Sequence, residues 1–327
     1  MTDAGKAPIV LFAYARPWHT EMTLRSLMNS DGADTHDLIV RLDGAKSARD
    51  AGPVAEVARL VSQVATAGPF RSVTLVRSER NRGLARSVIR GVSDVLDRYA
   101  AVIVIEDDLL LAKDFLRYMD EALAVYADDE RIWSVSGFTP ALRSLENYSH
   151  DAYLSLRASS WGWGTWRRSW ALVDWDVDDY NRFEYDLADR RSFNRGGRDL
   201  AAMLDAQMDG RVDSWAIRWC YSQFRHSMYS VVPALSRVRN IGLDGSGTHG
   251  VVEDPGPDLP VGGPVHFEPL ELDPRILQDF ARDQARYNRC PPYSFARHLM
   301  AQRRRSEPRP EAMGVAPQPV NRPGRGR

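Results

Sequence analysis

Short apolar runs alternate with amphipathic stretches through the first 136 residues of this 327-residue chain. The runs have the length of strands, and the stretches between them repeat apolar residues at helical spacing. The run VIVI at 102–105 is typical of a central strand buried on both faces. The sequence therefore predicts an α/β fold with a mainly parallel sheet flanked by helices. The predicted elements are strands Ile9–Ala13, Asp37–Leu42, Ser72–Val76, Ala101–Ile105 and Ile132–Ser136, and helices Thr20–Met28, Val54–Ala65, Leu84–Tyr99 and Asp114–Tyr126, with Asp114 as N-cap.

The regular alternation ends near residue 150, and the second half of the chain is more mixed. An aromatic-rich region precedes a predicted helix at Trp215–Tyr229, and a basic helix is predicted at 274–303. Pro, Gly, Gln and Arg dominate the C-terminal end, which predicts disorder. We predict a flexible N-terminus (1–6), a main domain (7–250, with halves 7–140 and 141–250), a C-terminal loop and helical extension (251–305) and a disordered basic, Pro-rich tail (306–327).

Composition excludes several classes of protein. A formal net charge of −1 provides no overall field for nucleic acid. Two cysteines, Cys220 and Cys290, are too few for a disulfide framework and predict free thiols in a reducing compartment. No signal peptide is recognisable, and no apolar run reaches the roughly 18 residues of a membrane span. We expect a cytoplasmic protein; contact of the arginines at 303–305 with anionic lipid is a hypothesis, with a solvated tail as its alternative.

Three carboxylates, Glu106, Asp107 and Asp108, directly follow the predicted strand Ala101–Ile105. Ligands of open parallel sheets bind beyond the carboxyl ends of the strands. Adjacent carboxylates repel one another, so such a trio in a cleft needs a cation or strong hydrogen-bond donors. Mg²⁺ or Mn²⁺ would share its ligand positions between carboxylates, phosphate oxygens and water, which implies a diphosphate ligand. A solvated turn before a helix is the alternative.

The order of strand, Glu-Asp-Asp, apolar stretch and Asp-Phe-Leu resembles the nucleotide-sugar site of GT-A glycosyltransferases. The likeness is to the group of N-acetylglucosaminyltransferase I and its bacterial, family 2-like relatives. It implies a GT-A (Rossmann-like) fold with a mixed acceptor-side region, and a Mn²⁺ or Mg²⁺ ion on Asp108. It also implies that Glu106 and Asp107 hydrogen-bond the sugar and ribose of the donor.

Three further segments extend the resemblance, each near the carboxyl end of a predicted strand. PIVLFAYARP is similar to the family's first strand, which ends in an Arg close to the donor nucleotide, here Arg16. LIVRLDGA places Asp43 where the family binds the nucleotide base, and ERNRGLARSV resembles an Asn-x-Gly segment that faces the nucleotide, here Asn81 and Gly83. A surface arginine and an ordinary Asp-Gly turn are the alternatives for Arg16 and Asp43.

The segment RVDSWAIRWCYSQF resembles the acceptor-side loop of the same enzymes, in which an Asp two residues before a Trp is the catalytic base. Asp213, with Trp215, matches that pattern, although Ser stands where the eukaryotic relative has a second Asp. A carboxylate in this position takes the proton of the attacking hydroxyl; an N-cap is the alternative role. Thr248 and His249 correspond to a Ser-His pair near the donor phosphates, which implies a donor contact and a second metal contact, with a glycine-rich loop as the alternative.

Four tryptophans crowd the segment RASSWGWGTWRRSW. Similar Trp-Gly-Trp-Gly segments occur in bacterial members of the group, so we predict that Trp161 and Trp163, with Trp215, form a sugar or acceptor pocket. Aromatic faces suit this role, and core packing is the alternative. Three arginines are candidates for steering an anionic ligand, with isolated surface positions as the alternative: Arg157, Arg167 and Arg168.

Taken together, the resemblance implies a metal-dependent inverting glycosyltransferase of the hexosyltransferase type. It would transfer a sugar from a nucleotide-diphosphate donor to a glycan or lipid-linked acceptor in bacterial surface polysaccharide synthesis. Two alternatives stay open. A sugar-phosphate nucleotidyltransferase normally carries a glycine-rich N-terminal loop, which LFAYARPWHT lacks. A non-catalytic carbohydrate-binding protein could keep the same fold.

Overall fold

The computed structural model describes residues 6–244, 259, 265–267 and 269–287. The predictions for Thr248, His249, Cys290 and the C-terminal tail lie outside these residues, and the predicted domain division stays a prediction. The strands are β1 Ile9–Ala13, β2 Asp37–Leu42, β3 Ser72–Arg77, β4 Ala101–Glu106, β5 Leu109–Leu111, β6 Ile132–Ser136, β7 Ala152–Ser155, β8 Trp163–Trp166, β9 Tyr229–Pro233 and β10 Val238–Asn240. The α-helices are α1 Pro17–Met28, α2 Ala48–Ala67, α3 Leu84–Leu96, α4 Phe115–Val125, α5 Arg167–Trp170, α6 Tyr180–Phe183, α7 Leu187–Phe193, α8 Leu200–Met208, α9 Trp215–Arg225 and α10 Pro274–Tyr287.

Eight of the strands form one sheet, in the order β3-β2-β1-β4-β8-β6-β9-β7. The four strands β3, β2, β1 and β4 are mutually parallel, whereas β8 and β7 run antiparallel to their neighbours. This confirms the predicted α/β fold with a mainly parallel sheet flanked by helices. A separate ribbon pairs β10 with β5 in antiparallel register. It was not predicted, because its strands lie more than 120 residues apart in the chain and each is only three residues long.

Strand residues alternate between two cores, as the pleat of a strand requires. Ile9 and Leu11 of β1 pack with α1, α2 and α4 on one face of the sheet. Val10 and Phe12 pack with α3 and α9 on the other face, where most of the tryptophans also lie. The carboxyl edge of the sheet is therefore flanked by a different set of helices on each side.

Several predicted helix bounds differ from the structure: α1 begins at Pro17, α2 spans Ala48–Ala67 and α3 ends at Leu96. The helix predicted at Trp215–Tyr229 ends at Arg225, because Tyr229 already pairs with β6 as the first residue of β9. Asp114 occupies the N-cap position of α4, but its side chain forms no capping hydrogen bond. Its Oδ2 instead lies 3.3 Å from Nε of the buried Arg237. No helix in the described part of the chain has the length and apolarity needed to cross a membrane.

Candidate functional site

The carboxyl ends of β3, β2, β1 and β4 lie side by side, since these four strands are parallel and paired in register. Leu42 of β2 pairs with Ala13 of β1, and Glu106 of β4 pairs with Phe12 of β1. The segments that leave these strands therefore meet at one edge. This edge carries the acidic turn Glu106–Asp108 and the predicted donor residues Arg16, Asp43, Asn81 and Gly83.

Arg16 is the cation that neutralises the acidic turn. Its Nη2 donates to Asp107 Oδ1 at 2.5 Å and to Asp108 Oδ2 at 2.9 Å. The backbone N–H of Tyr14 donates to the second oxygen of Asp107 at 3.0 Å. Asp107 is 4% exposed and Asp108 is 8% exposed, so both carboxylates are withdrawn from bulk water. The alternative of a solvated acidic turn is wrong, because two of its three carboxylates are buried and bridged by a guanidinium.

The electrostatics of the turn raise the pKa of two of its carboxyls. Burial and the neighbouring Asp108 and Asp107 raise the pKa of Glu106 to about 8. Burial also raises the pKa of Asp107, although the Arg16 guanidinium opposes that shift. The pKa of Glu106 thus lies well above that of an ordinary glutamate.

Asp108 offers one atom that fits a metal ion. Its Oδ1 is buried and has no hydrogen-bond partner in the described structure. A carboxylate oxygen is the kind of ligand that Mg²⁺ and Mn²⁺ prefer. Within residues 6–244 and the described C-terminal segments, no group of three or more His, Cys, Asp or Glu is arranged to hold a metal. The arrangement thus fits an ion that takes one protein oxygen and completes its coordination with ligand oxygens and water.

The segment that follows β10 lies directly on the acidic turn. The N–H of Ile241 donates to the carbonyl oxygen of Asp108 at 2.8 Å. A Cβ atom at Gly242 would lie 2.2 Å from Asp108 Oδ2 and 2.8 Å from Arg16 Nη1. Farther along, Asp244 Oδ2 lies 3.2 Å from Nε2 of His19. Neither Gly242 nor His19 was predicted as a site residue. The pairing of β10 with β5 brings Gly242 to the turn and Asp244 to His19, and this pairing joins distant parts of the chain.

Trp18 is a second feature that the sequence did not reveal. Trp18 follows Arg16 by two residues and is 58% exposed. Its ring lies edge-on to that of His19, with 4.9 Å between the centroids. Exposed tryptophan faces at the mouth of a site can stack on sugar or base rings. From the sequence, the residues Pro17 and Trp18 indicate only the start of a helix.

Asp43, Asn81 and Gly83 come together at the adjacent strand ends. The Asp43 carboxylate accepts backbone N–H groups from Gly44 at 2.9 Å, Arg82 at 2.9 Å and Gly83 at 3.0 Å. The Asn81 side-chain amide donates to the carbonyl of Gly44 at 2.9 Å. Asp43 thus ties the loop after β2 to the loop before α3, a role beyond the Asp-Gly turn considered as its alternative. Base binding by Asp43 stays a prediction.

We expect Asp43→Ala to destabilise the fold by about 1–2 kcal/mol, because two N–H groups of the neighbouring loop lose their acceptor. Chemical unfolding of the variant and the wild type would measure the change. Asp34→Ala is the matched control, since Asp34 is an exposed carboxylate on another turn. Equal unfolding free energies for all three proteins would contradict the tying role.

Asp213 is open to solvent. Its side chain is 63% exposed and lies 3.1 Å from Nη2 of Arg218. Ser214 is the N-cap of α9 and accepts the N–H of Ile217 at 3.4 Å, so the N-cap alternative for Asp213 is wrong. The helix that follows packs on the face of the sheet opposite α1 and α2. We call Arg16, Asp107 and Asp108 the Arg16 cluster; no hydrogen bond or ion pair joins Asp213 to these residues, and its role as a base stays a prediction.

The tryptophan pocket does not have the form that the sequence suggested. Trp163 is fully buried, and its ring lies between 5.1 and 6.0 Å from those of Trp170, Trp215 and Trp219. Trp215 is 3% exposed in the same cluster. These indoles stack on one another in the core, which is the alternative that the sequence left open, and no face of Trp163 is free for a sugar. Trp161 is partly buried, with its ring 4.4 Å from that of Phe138.

The three arginines considered for steering have internal partners. Arg157 forms two hydrogen bonds with the buried Asp199, at 2.8 and 3.1 Å. Arg167 donates to the carbonyls of Leu96 and Tyr99 at the end of α3. Arg168 donates to four backbone carbonyls between α4 and β6. Each of the three guanidinium groups therefore has internal oxygen partners, and the steering role stays a prediction.

Comparison with known proteins gives no family. No protein-family model and no curated protein matches the chain. Among solved structures, S. aureus TarS matches at a TM-score of 0.40 and 12% identity, over 71% of this chain and 35% of TarS. The mannosyltransferase PcManGT from Pyrobaculum calidifontis, in complex with GDP-Man and Mn²⁺, matches at a TM-score of 0.36 and 13% identity, over 68% of this chain and 74% of that one. At these scores neither structure identifies the reaction of this chain, which spans only about a third of TarS.

Proposed function

We propose that this chain is a metal-dependent, inverting glycosyltransferase of the GT-A type. It transfers a sugar from a nucleotide-diphosphate donor to a glycan or lipid-linked acceptor, in the synthesis of a bacterial surface polysaccharide. The observation that carries the proposal is the buried pair Asp107 and Asp108 at the carboxyl end of β4. Arg16 bridges the pair, and Asp108 Oδ1 is left without a partner among the described residues.

The arrangement suits a diphosphate. The guanidinium of Arg16 is a planar donor that matches phosphate oxygens as well as carboxylates. Asp108 Oδ1 supplies the protein oxygen for a divalent cation. When bound, that ion would supply positive charge to the departing diphosphate. Glu106 and Asp107 hydrogen-bond the sugar and ribose of the donor, and Asp43 with Asn81 and Gly83 shapes the base side of the site.

Asp213 is the proposed base on the acceptor side. An acceptor hydroxyl oxygen forms a bond to the anomeric carbon of the sugar while the bond from that carbon to the diphosphate breaks. The hydroxyl proton passes to the Asp213 carboxylate, whose exposure leaves it accessible to an acceptor arriving from solvent. Attack opposite the leaving group inverts the anomeric configuration.

Product analysis tests the reaction class. The protein would be incubated with Mn²⁺, a panel of nucleotide sugars and oligosaccharide acceptors, and nucleoside diphosphate release would be followed with sugar transfer. A glycosyltransferase releases nucleoside diphosphate from one donor. Synthesis of a nucleotide sugar from a nucleoside triphosphate and a sugar phosphate, with pyrophosphate release, would instead identify a nucleotidyltransferase. Neither reaction, together with carbohydrate binding, would identify a non-catalytic protein.

Gly242→Ala is expected to weaken metal-dependent donor binding at least about tenfold. The added methyl would overlap Asp108 Oδ2 and crowd Arg16, so one of these groups must move. Calorimetric titration with the donor and Mn²⁺ would measure the affinity. Gly52→Ala is the matched control, because Gly52 is exposed on α2 and its Cβ would meet no atom within 4 Å. Unchanged donor affinity in Gly242→Ala would remove the segment after β10 from the site.

A further inference from the structure

Six cationic side chains lie near one another in the chain at the carboxyl edge of the sheet: one ends β3, and the others lie in the loops after β2 and β3 and in the first turns of α2 and α3. All six are exposed, and none forms an ion pair with an acid of the described residues. The nearby acids are largely engaged: Asp43 holds backbone N–H groups, and Asp50 caps α2 through Ser47. We call this surface the basic rim. Its cations are Lys46, Arg49, Arg77, Arg80, Arg82 and Arg86.

The two loops of the basic rim form one continuous surface. A Cβ atom at Gly44 would lie 2.6 Å from the carbonyl carbon of Arg80, so the loop backbones touch. The hydrogen bonds from Arg82 and Gly83 to Asp43 hold them together. β3 is an edge strand of the sheet as described, which places the rim at the margin of the sheet.

Charge is distributed unevenly over this chain. In total it has 43 Lys and Arg against 44 Asp and Glu. Segments 43–50 and 77–86 contain six cations and three acids, Asp43, Asp50 and Glu79, and Glu79 is the exposed one of the three. Because the total is nearly balanced, the remainder of the chain carries an excess of acids. Such an asymmetric distribution orients a protein toward an anionic surface.

An apolar side chain stands in the middle of the rim. Leu84, the first residue of α3, is 50% exposed and lies between Arg82 and Arg86 in the chain. The two segments contain no aromatic residue. Cations that surround an exposed aliphatic side chain suit the headgroup region of a bilayer, where basic residues meet anionic lipid and an apolar group reaches the acyl boundary. Binding of single-stranded nucleic acid relies on aromatic stacking, and neither segment supplies a ring; the neighbouring Tyr14 meets the rim through its hydroxyl, which accepts the N–H of Lys46.

We propose that the basic rim docks the protein on an anionic lipid bilayer, with Leu84 at the level of the headgroups. The six side chains are spread over the end of β3, two loops and two helix starts, which fits a diffuse surface potential better than one discrete phosphate. Docking in this way turns the carboxyl edge of the sheet, with the candidate site, toward the membrane. The inference does not depend on the proposed reaction, because vesicle binding can be measured without donor or acceptor.

Vesicle flotation with the full chain tests the inference. We expect binding to vesicles of equal parts phosphatidylcholine and phosphatidylglycerol, and none to phosphatidylcholine alone. The triple variant R80Q/R82Q/R86Q should lose on the order of 100-fold in partition coefficient, since each cation contributes roughly fivefold near an anionic surface. Leu84→Ser should lose about fivefold independently of charge. Thermal unfolding of each variant would confirm that it folds.

The matched control is R191Q/R195Q/R198Q, which removes the same charge from three exposed arginines in and after α7. Its partition coefficient should stay near the wild-type value. Absence of binding to anionic vesicles, equal losses in both triple variants, or retention of binding by the rim variant would overturn the inference. So would displacement from vesicles by inorganic phosphate at constant ionic strength, or binding to a single-stranded RNA oligonucleotide without binding to vesicles.

Discussion

Asp108→Asn is expected to abolish the metal dependence of donor binding while the protein stays folded. Asn keeps the size of the side chain and one oxygen, but it removes the negative charge that a divalent cation requires. Arg16 retains its hydrogen bond to Asp107, so the turn keeps its main internal cation. Donor affinity in Mn²⁺ should fall at least about 100-fold, since even residues that only support a metal ligand alter affinity by 10–100-fold.

Calorimetric titration of Asp108→Asn with the donor, in Mn²⁺ and in EDTA, measures this effect. The variant should bind equally weakly in both conditions, whereas the wild type should bind much more tightly in Mn²⁺. Asp97→Asn is the matched control, because Asp97 is an exposed carboxylate at the end of α3. If Asp108→Asn kept the wild-type response to Mn²⁺, Asp108 would not be the metal ligand.

Asp213→Asn is expected to remove transfer and to leave donor binding nearly unchanged. An amide cannot accept the acceptor's proton, and a positioned general base contributes about 10²–10⁴-fold to the rate. Because Asp213 lies outside the Arg16 cluster, the dissociation constant of the donor should not respond. The expected signature is therefore a loss in kcat of that order with an unchanged donor Kd.

Asp209→Asn provides an unusually close control for Asp213→Asn. Asp209 lies four residues earlier, is 38% exposed and also pairs with an arginine, Arg211, at 3.1 Å. Its substitution changes a surface carboxylate and an ion pair of the same kind, which contribute little when exposed. Equal kcat values for the wild type and Asp213→Asn would exclude this residue as the base, and equal losses in both variants would point to a general charge effect.

Local periodicity was enough to predict β1, β2, β3, β4 and β6, but not β7, β8 and β9, which complete the eight-stranded sheet. The apolar run at 102–105 and the alternation around it reflect which side chains face a core. This signal is local, because it can be read from consecutive residues. The position of Glu106–Asp108 at a strand end followed from the same pattern. The partners of these acids could not be predicted from the same pattern, because Arg16, which bridges Asp107 and Asp108, lies about 90 residues earlier in the chain.

Residue type alone also could not separate core from site. Trp163 and Trp215 belong to a stacked aromatic core, whereas Trp18, in a segment without an aromatic pattern, is the exposed tryptophan beside Arg16. Tryptophan is large and apolar, so both locations are compatible with its chemistry. Gly242 likewise could not be recognised from its residue type. Position 242 requires a residue without a side chain because Asp108 and Arg16, which lie in distant segments, occupy the space that a Cβ would fill.

The central claim is that the acidic turn binds a nucleotide-diphosphate sugar through a divalent ion. The most direct measurement is calorimetry of the wild-type protein with a panel of nucleotide sugars, each titrated in Mn²⁺ and in EDTA. We predict that a nucleotide sugar binds in Mn²⁺, that the corresponding nucleoside diphosphate competes with it, and that EDTA removes the binding. Binding of no member of the panel in either condition, or equal affinity in Mn²⁺ and EDTA, would contradict the claim.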